Sequence, residues 1–484
     1  MKKSFLFLGS AMLAACATSP DAAERYIDDR EALFAVVPDA PATWAARGVA
    51  GEAPTADWLS QFNDPVMTSL VAEALANNPS LESRAALARA SEALSRAARG
   101  QRLPSLSATI SGGGTSTGVD VGGQTDRFND PTYGLGLDAS WEADLWGRVS
   151  NGIAQADADY AASRADLAAA ELSIAAQTAI AWIALNEALA QERIAQLSYD
   201  ARDRVLTITD RRVRSGVSGP LELRTARSSL ANAEATIAAR RQALSEAARR
   251  LELLLGRYPA AEIAATATIP ELPTMAAEGN PALLLSRRPD IAALEARVVS
   301  AGLRAEEARL AMLPSLRVSG TAGTTSSRFE DAVDPSLIAA RLVASLVQPL
   351  FTGGRLKAQQ EAAIAQAQAS VASYVSGVLN AWSEVEDALT ADVFLAQQES
   401  AQGVSFEEAR YAEELAERQY ISGTITIFDL IDAQTRRLTA ESQLVSVRAS
   451  RAINRVSYHL ALGGGVPAPA ADTSPASTEV QTPQ

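Results

Sequence analysis

Few side chains in this sequence could carry catalytic or metal chemistry. Among the 484 residues there is one histidine, His459, and one cysteine, Cys16. Zinc sites draw ligands from several histidines and cysteines, and a serine-type triad needs a histidine base. Such a metal cluster and such a triad are therefore close to excluded, and a disulfide within the chain is impossible. The sequence predicts no enzyme and no cofactor, and it favours a structural role for His459.

Carboxylates beside two Ser-Gly pairs are the other candidates for function. Asp429 and Asp432 follow Ser422-Gly423, and Glu222 follows Ser215-Gly216. At the start of a helix a carboxylate satisfies unpaired amides and complements the helix dipole. Around a pore, rings of the same carboxylates would favour cations and repel anions. The residue types alone leave both interpretations open.

The composition favours long, closely packed helices. Apolar residues make up 47% of the chain, aromatic residues only 5%, and alanine dominates the apolar share. A chain of this length can bury a large core. Its formal net charge of −14 gives no support to nucleic-acid binding, which needs a basic face.

The N-terminus predicts export and a lipid anchor. Met1-Lys2-Lys3 is followed by an apolar run, residues 4–13, that is too short to span a bilayer. Leu13-Ala14-Ala15-Cys16 resembles the bacterial lipobox, which implies a signal peptide of residues 1–15 and lipid on Cys16. Ordinary cleavage nearby is the alternative. In sorted lipoproteins, a residue such as Ala17 after the cysteine, rather than aspartate, fits the outer membrane.

A duplication organises the rest of the chain. Leu103-Pro104-Ser105-Leu106 recurs 210 residues later at 313–316, and each copy marks a helix end because proline disfavours helix before it. Ser215-Gly216 recurs 207 residues later at Ser422-Gly423, as does Leu255-Gly256 at Leu462-Gly463. We predict two structural repeats, 58–256 and 289–463, and expect Pro104 and Pro314 at one level near the membrane edge.

Each repeat is predicted to contain two strands. Tyr133, Leu135, Leu137, Ala139 and Trp141 alternate with small or polar residues, the clearest strand pattern in the chain. The predicted strands are about 105–113, 132–141, 315–323 and 338–350, with polar loops at 112–130 and 324–336. Runs of roughly 9–10 residues suit tilted membrane strands.

Long helices follow each strand pair. The helix that begins near Arg148 is predicted to continue to about Arg214, which would make it roughly 100 Å long. Helices of this length need neighbours, so coiled-coil or helical-barrel packing is expected. The remaining segments are an extended N-terminal stretch, 16–57, a linker, 257–288, and a disordered tail, 464–484.

Four strands cannot close a membrane sheet within one chain. Closed barrels start near 8 strands, and lipid tolerates no open sheet edge. Closure therefore requires several copies. Three copies would supply twelve strands, although the pattern does not fix that number.

The order and spacing of these landmarks resemble the TolC-type outer-membrane efflux channels, most closely their lipidated OprM- or NodT-like branch. The resemblance covers nearly all of the mature chain. It rests on the lipobox, both Leu-Pro-Ser-Leu joints, the Ser-Gly pairs, and the segments 58–65, 141–148, 348–355 and 428–434. It implies a mainly helical homotrimer in which a 12-stranded β-barrel in the outer membrane continues into a periplasmic α-helical barrel. The resemblance also implies passive export of small molecules from an inner-membrane pump, of the RND type, through a periplasmic adaptor.

The same resemblance implies roles for particular residues. Asp429, Asp432, Glu222 and Tyr420 match positions at the periplasmic constriction. The tips Ser215, Gly216, Ser422 and Gly423 match the adaptor-docking ends of the helix pairs. Ile425 stands where some members carry a basic residue, so a salt-bridge latch of their kind is not expected.

Two other functions compete with efflux. The same fold can serve as the outer-membrane channel of a protein secretion system. A lipid-anchored periplasmic coiled-coil scaffold would also need long helices, but the Tyr133–Trp141 alternation argues against it.

Overall fold

The computed structural model describes residues 38, 43–46, 58–122, 124–273 and 281–464. The signal peptide, Cys16, most of the 16–57 segment and nearly all of the 464–484 tail lie outside these residues. Two compact units divide the chain. A strand unit contains Ala86–Arg164 and Ala292–Gly377, and a helical unit contains Asp39–Ala85, Ala165–Ile291 and Val378–Gln484.

The two repeats have the same order of elements, except that the second has a short helix between its two strands. After a 3-10 turn at Leu59–Phe62, the first consists of α1 (Pro65–Asn77), α2 (Pro79–Gly100), β1 (Ser105–Val121), β2 (Gln124–Ala143), α3 (Arg148–Arg214) and α4 (Pro220–Leu254). The second consists of α5 (Pro281–Leu284), α6 (Pro289–Leu310), β3 (Ser315–Ser326), α7 (Phe329–Ala332), β4 (Ala339–Val347), α8 (Arg355–Ser422) and α9 (Ile427–Ala461). The mainly helical fold with four strands is confirmed.

Local sequence explains where the helices begin and end. Asp64 caps α1 by accepting hydrogen bonds from the amides of Val66 and Met67, at 3.0 and 2.9 Å, and Pro65 fills the first helical position. Asn78 ends α1, and its side chain accepts a hydrogen bond from the amide of Ser80 at 2.9 Å, so α2 starts at once. The predicted break at Asn78-Pro79 is therefore a cap between two helices.

The long helices match their predicted bounds. Helices α3 and α8 have 67 and 68 residues, about 100 Å each. By length and mean hydropathy α3 is also long and apolar enough to cross a bilayer, and half of its apolar window is buried within the protein.

The four strands form one antiparallel sheet in the order β1-β2-β3-β4. The predicted loop at 112–130 is wrong, because the β1–β2 ladder continues to the pair Val121↔Gln124 and turns at Gly122. Where β3 no longer pairs with β2, the hairpin continues as a two-stranded ribbon. Its residues are exposed wherever their burial is described, so the ribbon needs no alternation of apolar and polar residues. Backbone pairing alone decides its length.

The other strand bounds also differ from those expected. In the sheet, β2 ends at Ala143 rather than 141, and β3 continues to Ser326 rather than 323. By contrast, β4 is shorter than the predicted 338–350 and ends at Val347, just before Gln348-Pro349. Proline has no amide to donate to a ladder, so it ends the pairing there.

Cross-strand pairing confirms the predicted alternation and extends it across the sheet. Leu106 lies opposite Ala139, Ala139 opposite Gly320, and Gly320 opposite Leu342. One face is therefore apolar on all four strands: Leu106, Ala108, Ile110, Leu135, Leu137, Trp141, Leu316, Val318, Leu342 and Leu346. The opposite face is mainly polar: Ser107, Thr109, Asp138, Glu142, Arg317, Thr321, Arg341, Ser345 and also Val343 and Val347. Sheets that separate lipid from water have this pattern.

The joint between β2 and α3 is tightly bonded. Asp144 caps α3 by accepting hydrogen bonds from the amides of Val149 and Ser150, both at 2.9 Å. Arg148 contacts Glu142 at 2.8 Å and Glu307 of α6 at 3.3 Å. Trp146 Nε1 donates to the carbonyl of Pro314 at 2.7 Å, so this joint contacts the second Leu-Pro-Ser-Leu motif directly.

The register bears on the levels of Pro104 and Pro314. Ser105 pairs with Ser140, which pairs with Ser319, four residues beyond Ser315. In a barrel tilted by about 35–45°, two strand spacings account for roughly 2–3 of these residues. This leaves an offset of about one or two residues between Pro104 and Pro314. Their equal height in the assembled barrel stays a prediction.

The core of the helical unit is built on aromatic side chains. Trp58, Phe62 and Trp182 are almost fully buried, and Trp182 Nε1 donates to Asp64 Oδ2 at 2.7 Å. The segment that follows α4 is held by Glu252, whose carboxylate accepts hydrogen bonds from three successive amides, 261–263. The predicted linker is thus fixed at its start.

His459 is a buried part of this core, as the sequence favoured. Its ring stacks on Trp58 with centroids 5.6 Å apart, and it is 3% exposed. Burial, with a smaller effect from the positive charge of Arg455, lowers the pKa of His459 to about 4. Arg455 in turn pairs with Asp392 at 2.9 Å.

We predict that His459 makes the protein sensitive to acid. Its folded pKa is below the unfolded value near 6.5, so its contribution is complete above pH 6.5 and is lost as the pH falls towards 4. The full loss is about 3 kcal/mol per chain. His459→Phe should lose that much less stability over this range, as measured by thermal melting in detergent at pH 7.5 and pH 4.5. Equal losses in both proteins would contradict the assignment.

Candidate functional site

The two helix tips have the same backbone geometry. At the end of α3, the amide of Val217 donates to the carbonyl of Arg212 at 2.9 Å, and Gly216 has a φ of +73°. At the end of α8, the amide of Thr424 donates to the carbonyl of Gln419 at 2.9 Å, and Gly423 has a φ of +80°. This is the helix stop that glycine allows.

The serines of the tips are part of the helix stop. The hydroxyls of Ser215 and Ser422 each donate to the carbonyl three residues earlier, both at 3.0 Å. All four tip residues, Ser215, Gly216, Ser422 and Gly423, are exposed.

Large exposed apolar side chains flank both tips, and sequence reasoning missed them. Val217 and Leu221 at the first tip are 67% and 68% exposed, and Ile421 and Phe428 at the second are 61% and 51% exposed. The available signal was the presence of large apolar residues within a few positions of the two Ser-Gly pairs, where polar residues are usual. Such side chains mark an interaction surface when they cluster.

Asp429 forms a capping box at the start of α9. One carboxylate oxygen accepts hydrogen bonds from the amide and hydroxyl of Thr426, at 2.9 and 2.6 Å, and Thr426 Oγ1 accepts from the amide of Asp429. These bonds, first that from the Thr426 hydroxyl, lower the pKa of Asp429. The carboxylate is therefore charged at neutral pH, and it is exposed.

Asp432 and Glu222 are not joined to Asp429 within one chain. Asp432 pairs with Arg436 one turn later, at 2.7 Å, and both side chains are mostly exposed. Glu222 is in the first turn of α4 and is half-buried. Within the described residues, no hydrogen bond or ion pair links Glu222 to Asp429 or Asp432. Of the three carboxylates, Asp429 caps a helix within the single chain, and the role of all three at a pore stays a prediction.

Tyr420 connects the two tips. It is 1% exposed, and its hydroxyl lies 2.7 Å from Thr209 Oγ1 of α3. Thr209 already donates its proton to the carbonyl of Val205 at 2.8 Å, so Tyr420 is the donor.

Arg212 completes this connection. Its Nη1 donates to the carbonyl of Tyr420 at 2.7 Å, its Nε donates to Ser218 at 3.1 Å, and its guanidinium lies 4.9 Å from the Tyr420 ring centroid. The sequence showed Arg211, Arg212 and Arg214 only as cations suited to a helix end. Which of them faces the second tip could not be read from the sequence.

An apolar cluster supports the connected tips. Its buried members come from α3, α4, α8 and α9: Val205, Ala226, Ala416, Tyr420, Ile427 and Leu430. Ile425 packs on this cluster. The expectation that position 425 forms no salt bridge here thus has a packing reason.

The fold and these tips together define a class of protein. A sheet with one apolar and one polar face, joined to helices of 67 and 68 residues, is suited to a channel that crosses a membrane and continues beyond it.

Comparison with known proteins identifies the class. The profile of the family described as "Outer membrane efflux protein" matches residues 70–257 and 280–464, one stretch for each set of two strands and two long helices. OpmQ of Pseudomonas putida KT2440, a pyoverdine export outer membrane protein, is 31% identical over 441 residues, which are 88% of this chain and 92% of that protein. The chain therefore belongs to the outer membrane efflux protein family.

Solved structures agree. The outer-membrane channel OprN has a TM-score of 0.79 at 28% identity, covering 89% of this chain and 99% of that chain. A CusC structure has a TM-score of 0.78 at 26% identity, covering 89% of this chain and all of that one. The resemblance to TolC-type channels is confirmed. The protein is an outer-membrane channel component of an efflux system.

We predict that Arg212 holds the tips together. Arg212→Ala should speed amide hydrogen exchange at residues 215–219 and 420–426 about tenfold or more, because a hydrogen bond from a charged group is lost. Exposed Arg211, one residue earlier in the same helical turn, provides the matched control, Arg211→Ala. Equal acceleration by both changes, measured by mass spectrometry, would show that helix-end charge alone matters.

Proposed function

We propose that three copies of this chain form one channel that exports small molecules passively across the outer membrane. The observation that supports this proposal most directly is the four-stranded sheet, apolar on one face and polar on the other. Among the described residues, β1 and β4 each have a neighbouring strand on one side only. A twelve-stranded barrel built from three such sheets has no open edge. An inner-membrane pump, of the RND type, and a periplasmic adaptor deliver the substrate. The export function named for OpmQ supports efflux over protein secretion.

Internal repetition specifies how neighbouring copies pair. Within the chain, Ala139 of β2 lies opposite Gly320 of β3. The first hairpin pairs Ser105 with Ser140, and the second pairs Ser315 with Val347. A residue of β1 is therefore equivalent to the residue of β3 that lies 210 positions later. A residue of β2 is equivalent to the residue of β4 that lies 207 positions later.

Transfer of this register places Leu346 of one copy opposite Ile110 of the next. Both side chains lie on the apolar face and are 64% and 82% exposed in the single chain. Pairing within a sheet would bring their backbones together and leave both side chains facing lipid.

The exposed residues after β4 support the same closure. Leu350 and Phe351 are 82% and 90% exposed, whereas Trp146 at the matching joint of the first repeat bonds to Pro314. Among the described residues, no hydrogen bond joins Leu350 or Phe351 to the first Leu-Pro-Ser-Leu motif, 103–106. In the proposed assembly, that motif of the neighbouring copy lies beside the second joint.

The tips carry the periplasmic functions in this proposal. Asp429, Asp432, Glu222 and Tyr420 form the constriction, supported by the exposed, ionised carboxylate of Asp429 and by the Tyr420 link between tips. The adaptor docks at Ser215, Gly216, Ser422 and Gly423, supported by the exposed apolar residues beside them. Lipid on Cys16, supported by the lipobox, anchors the N-terminus.

Cysteine cross-linking tests the assembly. The chain has only one native cysteine, Cys16, so Ile110→Cys with Leu346→Cys should form disulfides between copies and give a ladder that ends at three chains. Paired residues lie within disulfide range, about 5.5 Å between Cα atoms. Ile110→Cys with Val347→Cys is the control, because Val347 points to the opposite face. Equal cross-linking in the control, or none in the test pair, would reject this register.

Planar-bilayer conductance tests the constriction. We expect Asp429→Asn with Asp432→Asn to lower the preference for cations over anions about twofold or more, because six carboxylates leave the trimer's pore. Glu407→Gln with Glu408→Gln removes the same charge from an exposed helix face and should change little. Unchanged selectivity in the aspartate variant would leave both residues as helix-end groups only.

A further inference from the structure

The connection between β3 and β4 folds back over the apolar face of the sheet. Thr324 Oγ1 donates to the carbonyl of Ala332, and Ser326 Oγ donates to Asp331 at 3.2 Å. Phe329 meets the ring of Tyr133 edge to face, with centroids 5.8 Å apart. The connection, residues 327–338, is therefore held on the sheet by specific contacts.

A cleft of about 450 Å³ lies between this connection and the sheet. Ile110, Leu135 and Leu137 line it from the sheet, and Val333, Pro335 and Ile338 line it from the connection. Ile110 is 82% exposed and Leu137 49%, so the cleft leaves apolar surface uncovered.

The polar groups of the cleft are already engaged. The hydroxyl of Thr324 donates to Ala332, and the carboxylate of Asp334 accepts hydrogen bonds from the amide and hydroxyl of Ser336, at 2.8 and 2.7 Å. A peptide segment would leave its own amides without partners here. The occupant must therefore be apolar along its length.

The surroundings of the cleft are those of a lipid surface. The apolar sheet face, which meets hydrocarbon in an outer-membrane channel, continues directly into it. On the connection, Phe329 and Leu337 are 66% and 52% exposed, beside the exposed charges of Arg328 and Glu330. Apolar and charged residues side by side are typical of segments at the lipid–water interface.

The connection also defines the leaflet. It joins the ends of β3 and β4 that lie away from α6 and α8, the helices that precede and follow this strand pair. In a channel whose helices extend into the periplasm, that end faces outwards. This step rests on the proposed orientation of the channel.

We propose that the cleft holds one acyl chain of an outer-leaflet lipid, lipopolysaccharide. The chain fills the apolar space between connection and sheet. The lipid thereby stabilises the outer mouth of the channel.

Analysis of lipid that stays with the purified full-length trimer tests the site. Non-covalent lipid is extracted after detergent washing and quantified by mass spectrometry, with 3-hydroxy fatty acids marking lipopolysaccharide and glycerophosphates marking phospholipid. We expect about one lipopolysaccharide per chain. Ala322→Phe, which fills the cleft from β3, should reduce it about tenfold, whereas Ala344→Phe, on the same face outside the cleft, should not.

A second variant separates loss of the site from loss of folding. Val333→Asp places a charge in the wall of the cleft without touching a strand, and it should lower retention to the same extent. Retention that is unchanged in both cleft variants, absence of retained lipid in the native protein, or a stoichiometric phospholipid would each overturn the proposal. Conductance and cross-linking between copies test the proposed channel independently of the lipid. Failure of the channel proposal and failure of the lipid-site proposal are therefore distinguishable.

Discussion

An unpaired strand edge in lipid is the constraint on which the rest of this structure depends. A backbone amide in hydrocarbon has no water to bond with, so each edge of the sheet must find another strand. Strands β1 and β4 each have a neighbour on one side only among the described residues. The apolar face cannot instead be buried inside the chain, because Ile110 and Leu346 remain exposed on it. In the proposed channel, assembly of the copies is therefore part of folding.

The joint between helix and strand, which occurs once in each repeat, connects the membrane sheet to the helices. The incoming helix ends four residues before each proline, at Gly100 and Leu310, and the strand begins at the residue after the proline, as at Pro104 and Pro314. The outgoing helix is started by Asp144, and Arg148 ties it to β2 and α6. Trp146 then bonds the first joint to the second. In the proposed assembly, the geometry between repeats within one chain is the template for the geometry between copies.

In the proposed function, the same residues of the helix tips serve two roles. Asp429 forms a capping box within its own chain, and its carboxylate is nevertheless exposed and charged. Tyr420 and Arg212 link the tips through a buried hydroxyl and a backbone carbonyl, bonds that a small rotation between helix pairs would break. The link between the tips therefore depends on these few hydrogen bonds, and any opening of the proposed constriction that separates the tips must break them.

The sequence by itself determined the features that are local. Helix ends, the Leu-Pro-Ser-Leu joints and the alternation in β2 follow from proline, glycine, caps and side-chain period, which act within a few residues. Only the tertiary structure decided the length of the β1–β2 ribbon, the choice of Arg212 among three arginines, and the return of the β3–β4 connection to the sheet. Each of these features depends on which distant backbone or side chain lies alongside. The local sequence does not identify that partner, because neighbouring residues of the same type have the same local properties.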